Sequence, residues 1–281
     1  MPEVLMSLFD ISDRAKQYQS DLLEFMDSQV YPAEAIYDEQ MRAAGDPHFH
    51  PPILEELKAA ARNRGLWKLF HPHPEWGPGL TNLEYAPLAE ILGRSHIASE
   101  ACNCSAPDTG NMEVLTLFGT DEHQQRYLKP LLEGKIRSAF AITEPAVASS
   151  DATNVEMSMV RDGDSYILNG RKWFASNGMH RNCKVLIVMG KTDPTAPVHR
   201  QQSMMVVPID APGLTVQRTC PSLATRTAKD MPKSTSSTYG CRSKTCSRAK
   251  ARDLPSARPG WAPAAFITAC ARSAWRSGRW S

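Results

Sequence analysis

Apolar positions at helical spacing dominate the first half of the chain. Over residues 12–29 (SDRAKQYQSDLLEFMDSQ), Ala15, Tyr18, Leu22, Leu23, Phe25 and Met26 gather towards one side of a 3.6-residue period, which predicts an amphipathic helix. Pro32 reads as punctuation, with a second helix over 33–43. Pro51 and Pro52 open a third, ILEELKAAARNRGLW, that stops at Gly65. Thr81 and Glu84 have capping-box spacing and start a fourth helix over 82–93. NMEVLTLFG (111–119) reads as a fifth, closed by Gly119, and Thr120 caps a sixth, DEHQQRYLKPLLEG. Loops fall around HFHPP and HPHPEWGPG.

The period changes at Ser138. SAFAIT is small and apolar, NVEMSMVRDG alternates with period two, and CKVLIVMG and SMMVVPI read as buried strands. SYILNGRKWFAS carries Asn169–Gly170 between two strand-like runs, a type I′ hairpin signal. The expected fold is α+β: a helical domain over 1–137, then a β domain over 138–218.

Composition supports a globular protein. Of the 281 residues, 42% are apolar and 22% charged, which excludes a wholly disordered chain. No apolar run approaches ~18 residues, so no membrane span is expected. MPEVLMSLFDISDRAK is too acidic and interrupted for a signal peptide. Seven cysteines without a C-x-x-C pair argue against a disulfide scaffold and fit a reducing, cytoplasmic setting. Charge is uneven: residues 219–281 hold 12 of the 32 Lys+Arg but 2 of the 30 Asp+Glu, and lack Val, Glu, Asn, Gln and His. Such a tail ordinarily reads as a nucleic-acid or membrane arm.

Candidate chemistry lies in FAITEPAVASSDATN (140–154), where a short strand enters a loop of Thr, Ser, Ala and Pro. Small residues let backbone N–H groups approach a ligand closely, and Thr143, Ser149 and Ser150 add hydroxyls. A second run, KWFASNG (172–178), follows about thirty residues later on a neighbouring strand. Two such loops from one β domain could grip the edge and face of an aromatic ring system, although an ordinary surface loop has the same composition. The pairs His48/His50 and His71/His73 lack partners at metal-ligand spacing and read as loop surface, so no metal site is expected. Cys102 and Cys104 read as small packing residues, Glu144 as a brace for loop amides or a neighbouring Arg, Asp151 as a cap, and Asn177–Gly178 as a turn.

FAITEPAVASSD and KWFASNG resemble the two flavin loops of acyl-CoA dehydrogenases, and SAPDTGNMEVLTLFGTDEHQQRYLKPLLEGKIRSAFAITEP resembles the run leading into them. The resemblance covers about residues 10–218. It implies a helical N-terminal domain, a β-sandwich or barrel domain and a C-terminal four-helix bundle. FAD would lie between the last two, and a bundle carboxylate would take the α-proton while hydride passes to the flavin. By position, Phe140, Ile142, Thr143 and Ser149 would line the flavin, with Ser149 also at the acyl-CoA entrance. Phe174, Ala175 and Ser176 align with the second loop, Phe174 standing where the family usually has Trp. The implied partners are an acyl-CoA substrate and an electron-transfer flavoprotein, and the implied assembly is a homo-oligomer. Two alternatives stay open: an acyl-CoA-binding or oligomerising remnant without catalysis, and an acyl-CoA oxidase-like enzyme.

The tail departs from the family. Its codons, taken as the last base of one with the first two of the next, permit the family's text: SLATRTAKDMPKST can encode FGYEDGKGHAEVD, and GWAPAAFITACA can encode LGPGRIHHCMR. Met231–Pro232 then gives only Ala, and Trp261–Ala262 only Gly. Residues 219–281 are therefore expected to be an out-of-frame, disordered tail rather than a nucleic-acid arm. The bundle, its base and the last β strands would be missing, leaving no catalytic residue and no turnover.

Overall fold

Several helices begin where a side chain satisfies a free backbone N–H. A computed structural model of the protein describes residues 11–46, 48–163, 165–220, 238–242 and 247–249, with side chains described up to residue 217. Two units separate: among the described residues, one includes 11–44 and His50–Ser105, the other Gly45–Phe49 and those from Ala106 onward.

In the first unit, α1 (Asp13–Phe25) starts at Ser12, whose hydroxyl accepts the Ala15 N–H at 3.2 Å. The expected break at Pro32 does not occur. One π turn (Met26–Val30) runs directly into α2 (Tyr31–Ala44). A proline ring displaces the carbonyl four residues back, and a wider turn just ahead makes room for it. α3 (Pro52–Asn63) opens on Pro52 and gives way at Gly65, where φ is +72°. α4 (Asn82–Leu92) carries the predicted capping box: Thr81 Oγ1 accepts the Glu84 N–H, and Glu84 Oε2 accepts the Thr81 N–H at 2.8 Å. A short α5 (Ala98–Ala101) has no sequence signal of its own. Leu22, Phe25, Met26, Leu66, Leu69, Leu88 and Ile91 are buried.

His71 corrects its reading as loop surface: it is fully buried, with the backbone of Gly77 folded against it. Cys102 and Cys104 are buried and unpaired, as packing residues should be, and burial pushes the Cys104 thiol up to about 11.

In the second unit, α6 (Asp108–Phe118) begins three residues before the predicted start. Thr120 caps α7 (Asp121–His123), and a second π turn (Gln124–Leu128) leads into α8 (Lys129–Leu132), which contains Pro130. This repeats the arrangement at Pro32. β1 (Arg137–Ala141) follows. Asp108 Oδ1 accepts the Ser138 N–H at 2.7 Å and its hydroxyl at 2.6 Å, and Arg137 pairs with Asp108, fixing α6 to β1.

The larger sheet runs β1, β5 (Cys183–Lys191), β2 (Ser158–Asp162), β3 (Ser165–Asn169), β9 (Ser247–Ala249), with β6 (Gln202–Pro208) also on β5. β1 and β5 are parallel, whereas β5 and β6 are antiparallel, so the sheet is mixed. The smaller sheet orders β4 (Arg171–Lys172), β8 (Thr238–Arg242) and β7 (Val216–Cys220). Ala139, Ala141, Val155, Met157, Met159, Leu168, Val188 and Met205 form the core of the larger sheet.

One expectation about the turns is corrected here. The hairpin lies at Gly163 (φ +60°), between β2 and β3, and not at Asn169–Gly170. At Gly170 the chain leaves one sheet for the other, and a Cβ there would stand 2.8 Å from Met157 Cβ. The turn signal was real, but close approach is the reason for the glycine. Within the tail, Thr238–Arg242 pairs with β7 and β4, and Ser247–Ala249 pairs with β3. The rest of the out-of-frame reading, from 221 onward, lies outside the described residues.

Gly170→Ala should lower stability by about 1–3 kcal/mol, because Met157 must move to admit the methyl group. Urea unfolding measures this, and an unchanged midpoint would contradict it. Hydrogen bonds from Ser12 and Thr81 hold the Glu84 carboxyl below its ordinary value of 4.5. Its contribution is present above that value and lost as pH falls through the lowered one. The stability gap between the natural chain and Glu84→Gln should thus close on acidification, as melting curves across pH would show. A gap that widened towards acid would contradict it.

Candidate functional site

The two loops singled out by sequence meet in the second unit. Trp173 N–H donates to the Thr143 carbonyl at 2.9 Å, joining segments thirty residues apart in sequence. Between them lies a buried ion pair. Glu144 and Lys172 are 4% and 2% exposed, and Lys172 Nζ donates to Glu144 Oε1 at 2.7 Å and to the Ile142 carbonyl at 2.8 Å. Glu144 Oε1 also accepts the Met157 N–H at 2.9 Å, and Oε2 accepts the Glu156 N–H at 2.7 Å. The Glu144 N–H in turn donates to Ser149 Oγ at 2.6 Å. Burial pulls the Lys172 ammonium below its ordinary value, opposed by the hydrogen bond and charge of Glu144. Removing one partner of such a pair strands a buried charge, at a cost of about 3–5 kcal/mol.

Glu144 therefore braces loop amides as its sequence context suggested, but its cation is Lys172. Sequence reasoning missed this lysine. The faint signal is alternation along β4, where Arg171 points out and Lys172 in.

The individual candidates divide into two groups. Phe140 is half-buried on the face of β1 opposite Ala139 and Ala141. Ile142 packs on the sheet core, and Ala175 is buried within it. Ser149 is 1% exposed and engaged by Glu144. Thr143 and Ser176 are half-buried, and neither hydroxyl has a hydrogen-bond partner among the described residues. Phe174 is 43% exposed, tilts against Trp173 with ring centroids 4.6 Å apart, and has φ +52°. An aromatic residue in the left-handed region costs about 1–2 kcal/mol, and such strain is characteristic of ligand sites. Asn177 is also left-handed, and Gly178 N–H closes the turn onto the Ala175 carbonyl at 3.2 Å. Asp151 caps the next turn by accepting the Thr153 N–H at 2.9 Å.

The arrangement offers two free hydroxyls and a presented aromatic ring on a rigidly braced base. That suits a flat polar ligand. Comparison with known proteins decides its ancestry. Residues 12–135 match the family description "Acyl-CoA dehydrogenase, N-terminal domain" and 139–234 match "Acyl-CoA dehydrogenase, middle domain". The chain belongs to the acyl-CoA dehydrogenase family.

Among its relatives, "Probable acyl-CoA dehydrogenase FadE2" of Mycobacterium tuberculosis is 56% identical over 215 residues, 76% of this chain and 52% of that protein. Human "Acyl-CoA dehydrogenase family member 11" is 42% identical over 75% of this chain and 27% of its own length. The structure of "a putative acyl-CoA dehydrogenase from Mycobacterium abscessus" superposes with a TM-score of 0.79 at 43% identity, covering 94% of this chain and 64% of that one. A glutaryl-CoA dehydrogenase from Mycobacterium smegmatis, solved in complex with FADH2, shares the fold at 21% identity, TM-score 0.67, over 92% and 60% of the two chains. The matches thus span about half of the mycobacterial relative and about a quarter of the human one. No helix among the described residues is long and apolar enough to cross a membrane.

Phe174→Gly should leave stability unchanged or raise it by up to about 1 kcal/mol, since glycine adopts the left-handed region without strain. Thermal melting checks this. A loss of more than about 1 kcal/mol would show that the ring's packing outweighs the strain.

Proposed function

We propose that this chain carries the flavin-gripping loops of an acyl-CoA dehydrogenase and binds FAD through them. The observation carrying the reading is the pair of unpartnered hydroxyls, Thr143 and Ser176, on loops tied together by the Trp173–Thr143 bond. These residues fit the group: the hydroxyls can each donate to or accept from a heterocycle edge, and the Phe174 ring can lie against its face. Phe140 and Ile142 supply apolar walls. Ala175 keeps the base of the second loop thin, and Ser149 shapes the first loop towards the acyl-CoA side. When bound, the flavin would accept a hydride from an acyl thioester.

The chain's own residues at the loops orient and enclose, and none of them among the described residues is placed as the base. Glu144, the carboxylate between the loops, is committed to Lys172 and two amides and cannot accept a substrate proton. We therefore read the protein as flavin-binding without turnover by itself. Oxidation at a CH–CH bond of an acyl-CoA, delivery of electrons to an electron-transfer flavoprotein and homo-oligomeric assembly are proposals for the whole enzyme, of which this chain matches part. A reducing, cytoplasmic setting remains part of the same reading.

Equilibrating the purified chain with FAD and removing free flavin by gel filtration tests the proposal. The expected result is a yellow protein whose FAD dissociation constant rises roughly 3–10-fold in Thr143→Val, the worth of one hydrogen bond. A colourless protein, or a Thr143→Val variant with unaltered affinity, would overturn it.

A further inference from the structure

We propose that the buried Glu144–Lys172 ion pair is a positioning device for the ligand loops, fixing the register between residues 142–149 and 172–176 so that Thr143, Phe174 and Ser176 face the ligand together. The proposal rests on the flavin-binding reading above.

Three features carry it. The carboxylate reaches three groups on two segments at once: the Met157 and Glu156 amides ahead of β2 and the Lys172 ammonium on β4. The ammonium closes the circuit by holding the Ile142 carbonyl, the residue before Thr143. The strained Phe174 lies two residues beyond Lys172, next to the Trp173 amide bonded to the Thr143 carbonyl. A backbone held left-handed at an aromatic residue persists only when its neighbours over-determine it. The pair and the Trp173–Thr143 bond are those neighbours. A hydrophobic pair would fill the same volume, but it would leave the two amides and the Ile142 carbonyl unbonded.

Shortening the carboxylate separates positioning from charge balance. Glu144→Asp keeps the charge but cannot reach Lys172 and both amides, and Glu144→Gln removes the charge. Leu168→Ala, a core truncation in β3, serves as a destabilised control outside the circuit. Each variant is measured for melting temperature, FAD affinity and hydrogen exchange at the Trp173 amide. Both Glu144 variants should lose about tenfold or more in FAD affinity and exchange faster at Trp173, while Leu168→Ala stays within about twofold in affinity at a comparable melting loss. Wild-type affinity in Glu144→Asp, or affinity falling in proportion to melting temperature in all three, would overturn the proposal. If the natural chain takes up no FAD, the flavin-binding reading fails by itself. Exchange at Trp173 then still decides the pair, with unchanged exchange in Glu144→Asp overturning it.

Discussion

A carboxylate and an ammonium out of water, 2.7 Å apart, organise the end of the β unit where the two loops meet. Such a pair is expensive to desolvate and is tolerable only when every remaining lone pair and proton finds a partner. Here the partners are backbone groups: the Glu156 and Met157 amides ahead of β2 on the Glu144 side and the Ile142 carbonyl of the first loop on the Lys172 side. The same bonds that satisfy the charges thus fix the loops. Their outward faces keep what the interior does not use, two hydroxyls and an aromatic ring.

The rest of the second unit gives that pair a rigid base. β5 takes β1 in parallel on one side and β6 antiparallel on the other, and its buried residues leave little room for adjustment. Asp108 binds Ser138 and Arg137 at the start of β1, so the strand entering the first loop is held before the loop begins. Gly170 lets the chain pass tightly over Met157 and deliver Lys172 to the smaller sheet. Precision at Thr143 and Ser176 is inherited from packing several residues away, which is how ligand sites on loops generally gain their geometry.

Much of this was legible in the sequence because local chemistry decided it. Thr81 with Glu84 and Thr120 at its helix start satisfy orphan amides, and Pro52 at N1 has no N–H to leave unpaired, by rules that need no tertiary context. The strands at 137–141, 183–191 and 202–208 follow from apolar runs. What failed depended on distant partners. Pro32 looked like a helix end because one-dimensional reading has no place for a π turn, and Asn169–Gly170 looked like a hairpin because the clash with Met157 is invisible in sequence. His71 looked exposed because proline-rich loops usually are, although this one folds over its own histidine. At the site, the hydroxyl-rich loop was visible, whereas Lys172 was not: a lysine at a strand end reads as solvated until a buried carboxylate is known to face it.

The central claim is that two braced loops present Thr143 and Phe174–Ser176 as one ligand surface. Backbone NMR of the isotopically labelled chain during FAD titration tests it most directly. The account predicts saturable shifts concentrated at the amides of residues 142–144 and 173–178, with the Glu156 and Met157 amides, held beneath by Glu144, little changed. Shifts confined to the helical unit, or none at saturating FAD, would contradict it.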